Sequence, residues 1–153
     1  MRFIGNFSTG KMGFALAEEC ATRGAEVLLI AGPTSLTATH PNIKRVDVES
    51  ALEMYNASIS AFPDMDIAIL SAAVADYRPT DVQDKKMKRR DNEDITIRLT
   101  PNPDIAATLG KMKSKKQQII GFALETNNEE SNAIKKIEKK NFNYIVLNSL
   151  NDS

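Results

Sequence analysis

Ile67-Ala68-Ile69-Leu70-Ser71-Ala72-Ala73-Val74 is the most apolar run in the chain, and Asp64-Met65-Asp66 leads into it. It reads as a buried strand that ends in Ala75-Asp76-Tyr77-Arg78-Pro79. On its upstream side Ser50-Ala51-Leu52-Glu53 is a capping box, which predicts a helix through about Phe62. Before that helix come a short strand, Lys44 to Val48, a loop rich in hydroxyls and turn formers, Ser35 to Asn42, and a continuous apolar strand, Glu26 to Ala31. A strand apolar on both faces fits a parallel sheet covered by helices on each side. Met12, Phe14, Leu16, Ala17, Cys20 and Ala21 give the first helix its apolar face, and Gly24 is the natural residue to end it.

Downstream, residues 81 to 95 are charged without a clear period and are expected to form a mobile loop. Ile95 to Leu99 alternates like a half-exposed strand. Asn102-Pro103-Asp104 reads as a helix start, with an asparagine cap, proline at the first helical position and an acid in the first turn. That helix runs to about Met112, a buried strand follows over Gln118 to Ala123, a lysine-rich helix covers about Glu129 to Asn141, and Tyr144 to Asn148 is the last strand. Strands alternating with helices predict an α/β, Rossmann-like, mostly parallel sheet with helices on both faces. In such sheets the ligand lies beyond the carboxyl ends of the strands. Those ends carry Gly32-Pro33, Ala72 to Asp76, Phe122 to Asn127, and Asn148.

Composition narrows the chemistry. The chain has 153 residues, 42% hydrophobic and 26% charged, the profile of one globular domain. Twenty basic and twenty acidic residues cancel, so no overall field draws the chain to nucleic acid or membrane. No apolar stretch approaches the roughly 20 residues needed to cross a bilayer, and nothing resembles a signal peptide. A cytoplasmic location is the default expectation. One cysteine, one histidine and no tryptophan leave no Cys-His nest for zinc. Cys20 is expected to be a small buried hydrophobe, and His40 a solvated loop residue. Catalysis would fall to backbone amides, lysines, carboxylates and asparagines.

The opening stretch, Arg2-Phe3-Ile4-Gly5-Asn6-Phe7-Ser8-Thr9-Gly10-Lys11-Met12-Gly13, places glycines and hydroxyls at a helix start. Its amides and the helix dipole would favour an anion. Gly5 to Lys11 spells G-x-x-x-x-G-K, but Met12 stands where a P-loop needs Ser or Thr, so that match is accidental. Asn6 either bonds its own backbone in the turn or stabilises charge on a reacting carbonyl. Asp76 is either a cap or a contact to a base, ribose or metal. Lys85-Lys86-Met87-Lys88-Arg89-Arg90 holds five cations in six residues, a solvated run or a strap over a polyanion. Nucleic-acid binding would call for interleaved aromatic residues, which the run lacks. Lys135, Lys136, Lys139 and Lys140 form a second basic group, which composition alone reads as an ordinary solvent face.

Taken in order, several motifs resemble one family. They are the opening stretch, Ile30-Ala31-Gly32-Pro33, Ala72-Ala73-Val74-Ala75-Asp76-Tyr77-Arg78, Lys86-Met87-Lys88, Asn102-Pro103-Asp104-Ile105, and Gly121-Phe122-Ala123-Leu124-Glu125-Thr126. From Arg2 to about Asn148 the chain resembles phosphopantothenate–cysteine ligase, the synthetase half of the bifunctional coenzyme A biosynthesis flavoprotein. The resemblance implies a single ligase domain over 1–153 and a two-step reaction. The carboxylate of 4′-phosphopantothenate attacks the α-phosphate of CTP, giving an acyl-cytidylate and pyrophosphate, and the amino group of L-cysteine then displaces CMP.

The residue roles implied are specific. Lys86, Lys136 and Lys140 would hold the triphosphate. The nucleotide would lie against Leu70, Ser71 and Ala72, with Asp76, the helix start Pro103, Asp104, Ile105 and Ala106, and Phe122 in contact. Asn6 is the position linked with conversion of the acyl-cytidylate, and Arg2 is the suggested partner of a substrate phosphate or carboxylate. Mg²⁺ is expected with the triphosphate, its protein ligands unassigned, and the family pairs two such domains in a homodimer. The family also has a strand and glycine-containing turn upstream of Arg2 and further elements beyond Asn148, so an apolar sheet edge is expected to be exposed. The flavin-binding decarboxylase half lies outside this sequence, and FMN is not expected. A non-catalytic nucleotide-binding module is the alternative from another class, and a nucleic-acid binder using Lys85 to Arg90 is a third.

Overall fold

The computed structural model describes residues 5–81, 96–125 and 129–149, with the side chains of 124, 125, 129, 130, 132, 148 and 149 excepted. Among the described residues four helices and seven strands follow the expected order, with one strand added that was not predicted. Helix α1 (Lys11–Thr22) follows the opening loop and leads to strand β1 (Val27–Ala31), which pairs in parallel with β2 (Ile43–Asp47). Helix α2 (Ala51–Ala61) begins at Ser50, whose hydroxyl accepts from the Glu53 amide at 3.2 Å while Glu53 returns a bond to the Glu49 amide. This is the predicted capping box, with the reciprocal bond falling one residue upstream. A 3-10 turn (Phe62–Asp64) then feeds β3 (Ile67–Leu70).

Strand β3 stops at Leu70, four residues short of the predicted Val74. Its partner sets the limit: β6 (Gln118–Glu125) pairs with β3 only from Ile67↔Gln118 to Leu70↔Gly121. Beyond that point β6 continues its ladder with β7 (Tyr144–Ser149) alone. The short strand β4 (Tyr77–Pro79) pairs antiparallel with β5 (Leu99–Pro101), a ribbon the sequence pattern did not reveal. Of the predicted strand Ile95 to Leu99, Ile95 lies outside the described residues, Thr96 to Arg98 are not strand, and pairing begins at Leu99.

Helix α3 (Ile105–Met112) starts two residues later than predicted. Asp104, not Asn102, is its cap, and the Asp104 carboxylate accepts from the Ala107 amide at 2.9 Å. Asn102 is engaged elsewhere, as described below. Helix α4 (Glu129–Lys140) ends at Asn141, whose φ of 54° turns the chain towards β7.

Packing is densest where α3 and α4 meet the three-stranded sheet. Phe62, Leu109, Ile119 and Phe142 form the core cluster, joined by Ile59, Met65, Leu70, Ile105 and Ile137. Gly110 lets α3 touch the end of α4: a Cβ there would collide with the Lys140 carbonyl. Asn141 Nδ2 then donates to the Gly110 carbonyl at 2.8 Å, so the contact is bonded as well as close.

The parallel sheet is divided. β1–β2 and β3–β6–β7 are separate hydrogen-bonded units, and no strand among the described residues pairs with the free edge of β1 or of β3. Alternation puts Ile67 and Ile69 of β3, Ile120 and Phe122 of β6, and Tyr144 and Val146 of β7 on one face. Ile67 and Tyr144 on that face are more than half exposed, at 51% and 58%. The apolar exposure lies on this face, at Ile67, Ile69, Tyr144 and Val146, with Ile120 and Phe122 half-buried, whereas the expectation was of an exposed edge. Cys20 is half-buried rather than fully buried. His40 is half-buried as well, and its Nδ1 accepts from the Asn42 amide at 3.2 Å, a turn-shaping role.

Candidate functional site: the clefts at the β3 exit

The opening loop lies over the carboxyl end of β3. Asn6 Nδ2 donates to the Val74 carbonyl at 3.1 Å, spanning 68 residues of sequence. Neither of the two roles considered for Asn6 anticipates that bond. On its other side the loop is fastened behind β1, where the Thr34 hydroxyl donates to the Thr9 carbonyl at 3.4 Å and accepts from the Leu36 amide at 3.2 Å. The Leu36 carbonyl in turn receives Arg45 Nη1 at 2.5 Å, and the Arg45 guanidinium lies 5.2 Å from the centre of the Phe14 ring on α1.

Gly10 is the residue before α1 and has φ of 75°, a left-handed conformation that a side chain would strain. Two amides expected to face an anion are already occupied. Gly10 N–H reaches Ser8 Oγ at 3.3 Å and Lys11 N–H reaches Thr9 Oγ1 at 3.4 Å. The loop braces itself with its own hydroxyls.

Two clefts flank this loop. One, of about 310 Å³, is lined by Phe7 through Gly13 and by Ser71. Gly13 makes the close approach possible, because a Cβ there would sit 3.0 Å from Ser71 Oγ. The other, of about 190 Å³, is lined by Gly5, Asn6, Ala75, Asp76, Tyr77 and Leu99. Phe7, at 96% exposure, stands almost free at the first cleft's rim.

Ala75 and Asp76, which follow Val74, form part of the second cleft's wall. Asn102 Nδ2 donates to the Ala75 carbonyl and the Asn102 amide to the Asp76 carbonyl, both at 2.8 Å. The start of α3 is thereby attached to the exit of β3. Two residues on, the Asp104 carboxylate meets Lys140 Nζ at 3.2 Å, which ties α3 to the last turn of α4. Burial pushes the Asp104 carboxyl up, but the Ala107 amide and the Lys140 ammonium outweigh it and hold it below the usual aspartate value.

Of the residues singled out from sequence, the fold brings Asn6, Ser71 and Asp76 to the two adjoining clefts. Leu70 and Ala72 flank Ser71 at the end of β3. Pro103, Asp104, Ile105 and Ala106 follow Asn102 at the α3 start, and Lys140 joins them through Asp104. Lys136 is one turn earlier on α4, half-buried. Phe122 is half-buried in mid-β6 on the open sheet face. Arg2 and Lys86 lie outside the described residues, as does nearly all of the charged segment 81 to 95. Arg78 and Asn102 are the site-building residues that sequence reasoning missed.

The model of the DNA/pantothenate metabolism flavoprotein C-terminal domain matches residues 1–153. The chain belongs to that family. A protein of an unknown prokaryotic organism, named cysteine/cysteine sulfinic acid decarboxylase, is 53% identical over 99% of this chain and 42% of its own length. The coenzyme A biosynthesis bifunctional protein CoaBC of Haemophilus influenzae is 47% identical over 98% of this chain and 37% of its own. The crystal structure of the C-terminal domain of a CoaBC superposes with a TM-score of 0.83 at 46% identity, covering 97% of this chain and 68% of that one. This flavoprotein-family chain thus spans about two fifths of the length of these curated relatives. Its mixed α/β fold with a parallel sheet is that of the CoaBC C-terminal domain.

Proposed function

We propose that this chain is the phosphopantothenate–cysteine ligase domain of a coenzyme A biosynthesis protein, working on CTP, 4′-phosphopantothenate and L-cysteine. The observation that carries the reading is the placement of Asn6, Ser71 and Asp76 around adjoining clefts at the carboxyl end of β3, in a chain of this family. On this reading the nucleotide lies along Leu70, Ser71, Ala72 and Asp76 and the α3 start, with Lys136, Lys140 and Lys86 around its phosphates. The acid attacks the α-phosphate and pyrophosphate leaves. The cysteine amine then adds to the acyl carbonyl, the tetrahedral centre collapses, and CMP leaves with its electron pair. An amide N–H of Asn6 would stabilise the oxyanion of that second step, where a single such donor is worth about 3 kcal/mol.

Among the described residues no three His, Cys, Asp or Glu side chains are grouped to hold a metal by themselves. A magnesium ion bound mainly through phosphate oxygens and water fits such a surface, and would supply charge neutralisation on the triphosphate. The 53% identical relative is named for a decarboxylase; this reading assigns neither that reaction nor FMN to this domain. A cytoplasmic homodimer completes the reading.

The protein carrying this chain is expected to release pyrophosphate from CTP only when 4′-phosphopantothenate is present, with acyl-cytidylate detectable by mass spectrometry before cysteine is added. Pyrophosphate release independent of the acid would overturn the ligase reading. CTP binding with no acyl-cytidylate would replace it by the non-catalytic module.

A further inference from the structure

The segment after β3 is irregular from Ser71 to Asp76, yet its last three carbonyls are all engaged from a distance. Val74 accepts from Asn6 Nδ2 at 3.1 Å, Ala75 from Asn102 Nδ2 at 2.8 Å, and Asp76 from the Asn102 amide at 2.8 Å. Asn102 is itself held. Arg78 Nη1 donates to Asn102 Oδ1 at 3.0 Å and to the Pro101 carbonyl at 2.8 Å. A guanidinium only donates, so this bond turns the oxygen of the amide towards Arg78 and its NH₂ towards Ala75. Arg78 and Asn102 are both half-buried, and Arg78 faces Thr100 across the β4–β5 ribbon.

The pair stands apart from the core. The cluster of Phe62, Leu109, Ile119 and Phe142 packs under α3 and α4, while the ribbon exposes Tyr77 at 52% and Leu99 at 44%. Three-residue strands with so little burial cannot hold the β3 exit against the α3 start by packing. Leu70 and Ile105, where β3 ends and α3 begins, pack on the core cluster. Beyond Leu70, the Ala75–Asp76 segment is held to the α3 start by the Asn102 amide and the arginine that orients it.

We propose that Arg78 and Asn102 are a positioning pair that sets the register between the β3 exit and the start of α3. These are the two walls of the nucleotide site, so the inference rests on the nucleotide-binding reading above. Neither side chain is assigned a contact with reacting atoms. They act by fixing the Ala75–Asp76 backbone and, through the neighbouring Val74 carbonyl, the seat of Asn6.

Asn102→Asp is the discriminating variant. It keeps the shape and still accepts from Arg78, but sets a carboxylate oxygen against the Ala75 carbonyl. Arg78→Lys keeps the charge but replaces the planar guanidinium, whose Nη1 reaches both acceptors, by an ammonium on a shorter, more flexible stem. In the full-length protein, hydrogen exchange of amides 74 to 78, CTP titration by calorimetry and the thermal midpoint are read together. Asn102→Asp is expected to speed exchange of that segment and weaken CTP about tenfold, the size of one unsatisfied polar group. The thermal midpoint should fall by only a few degrees, and Arg78→Lys should give a smaller loss of the same pattern.

Wild-type exchange and wild-type CTP affinity in Asn102→Asp would overturn the proposal. So would a loss of affinity that came only with faster exchange throughout α3, β6 and α4, because the pair would then be a general stabiliser. If the wild-type protein itself takes up no CTP, the nucleotide reading fails separately. The pair is then judged on exchange alone, where a rise confined to 74–78 keeps it and no rise removes it.

Discussion

The two sides of this molecule are held together by different means. Where α3 and α4 cover β6 and β7, the contacts are dense and apolar: Leu109 and Ile119 are essentially inaccessible, and Gly110 brings two helices into backbone contact. Around the β3 exit there is little to bury. The opening loop and the Val74–Asp76 segment are fastened by side-chain amides and hydroxyls to carbonyls 25 to 68 residues away. Packing resists any change of volume, whereas single hydrogen bonds contribute about 1 kcal/mol each and can be exchanged for bonds to a ligand. Rigid support and adjustable cleft are thus built from different interactions.

The contrast predicts a graded series. Leu109→Ala should cost about 2–5 kcal/mol in denaturant unfolding, since the cavity lies in the packed half. A cost below about 1 kcal/mol would mean that this half is no more rigid than the other. Gly110→Ala should cost about 1–3 kcal/mol through overpacking against the Lys140 carbonyl, with a rise in exchange at the α3–α4 contact.

Asp104→Asn probes the seam between the halves. Asparagine also caps helices, so at neutral pH only the pairing with Lys140 is lost, worth about 0–1 kcal/mol at this half-exposed site. The sign in acid is definite. Because the folded carboxyl is held below its ordinary value, its contribution is present above that value and is lost as pH falls through the depressed one. Urea midpoints between pH 5 and 2 should therefore fall less steeply in Asp104→Asn than in wild type.

Asn6→Asp should change stability least, by under about 1 kcal/mol, because Asn6 is exposed and loses one bond. Its effect should appear in catalysis: acyl-cytidylate still forms, and transfer to cysteine is impaired. Product formation at the wild-type rate would remove Asn6 from the proposed second step.

Most of the element order was legible because α2 and α3 follow local start signals and β1, β3, β6 and β7 are apolar runs. What was hidden depends on partners remote in sequence. Val74 looked like strand, but the partner strand that would have extended the ladder there turns to β7 instead. Asn102 and Asp104 are both good caps by composition, and the choice between them is made by Ala75 and Arg78, 24 to 27 residues away. The clefts could be located by the rule for parallel sheets, and the motifs pointed to Asn6 and Asp76. Nothing local could reveal that Asn6 reaches Val74.

The opening loop has one attachment on each part of the divided sheet, Thr9 to Thr34 behind β1 and Asn6 to Val74 beyond β3. Only two residues, Phe7 and Ser8, lie between those anchor points. A tether so short has no slack, so any shear between the two sheet units loads it first. The position of the Asn6 amide is thereby tied to the spacing between the β1 and β3 units of the sheet.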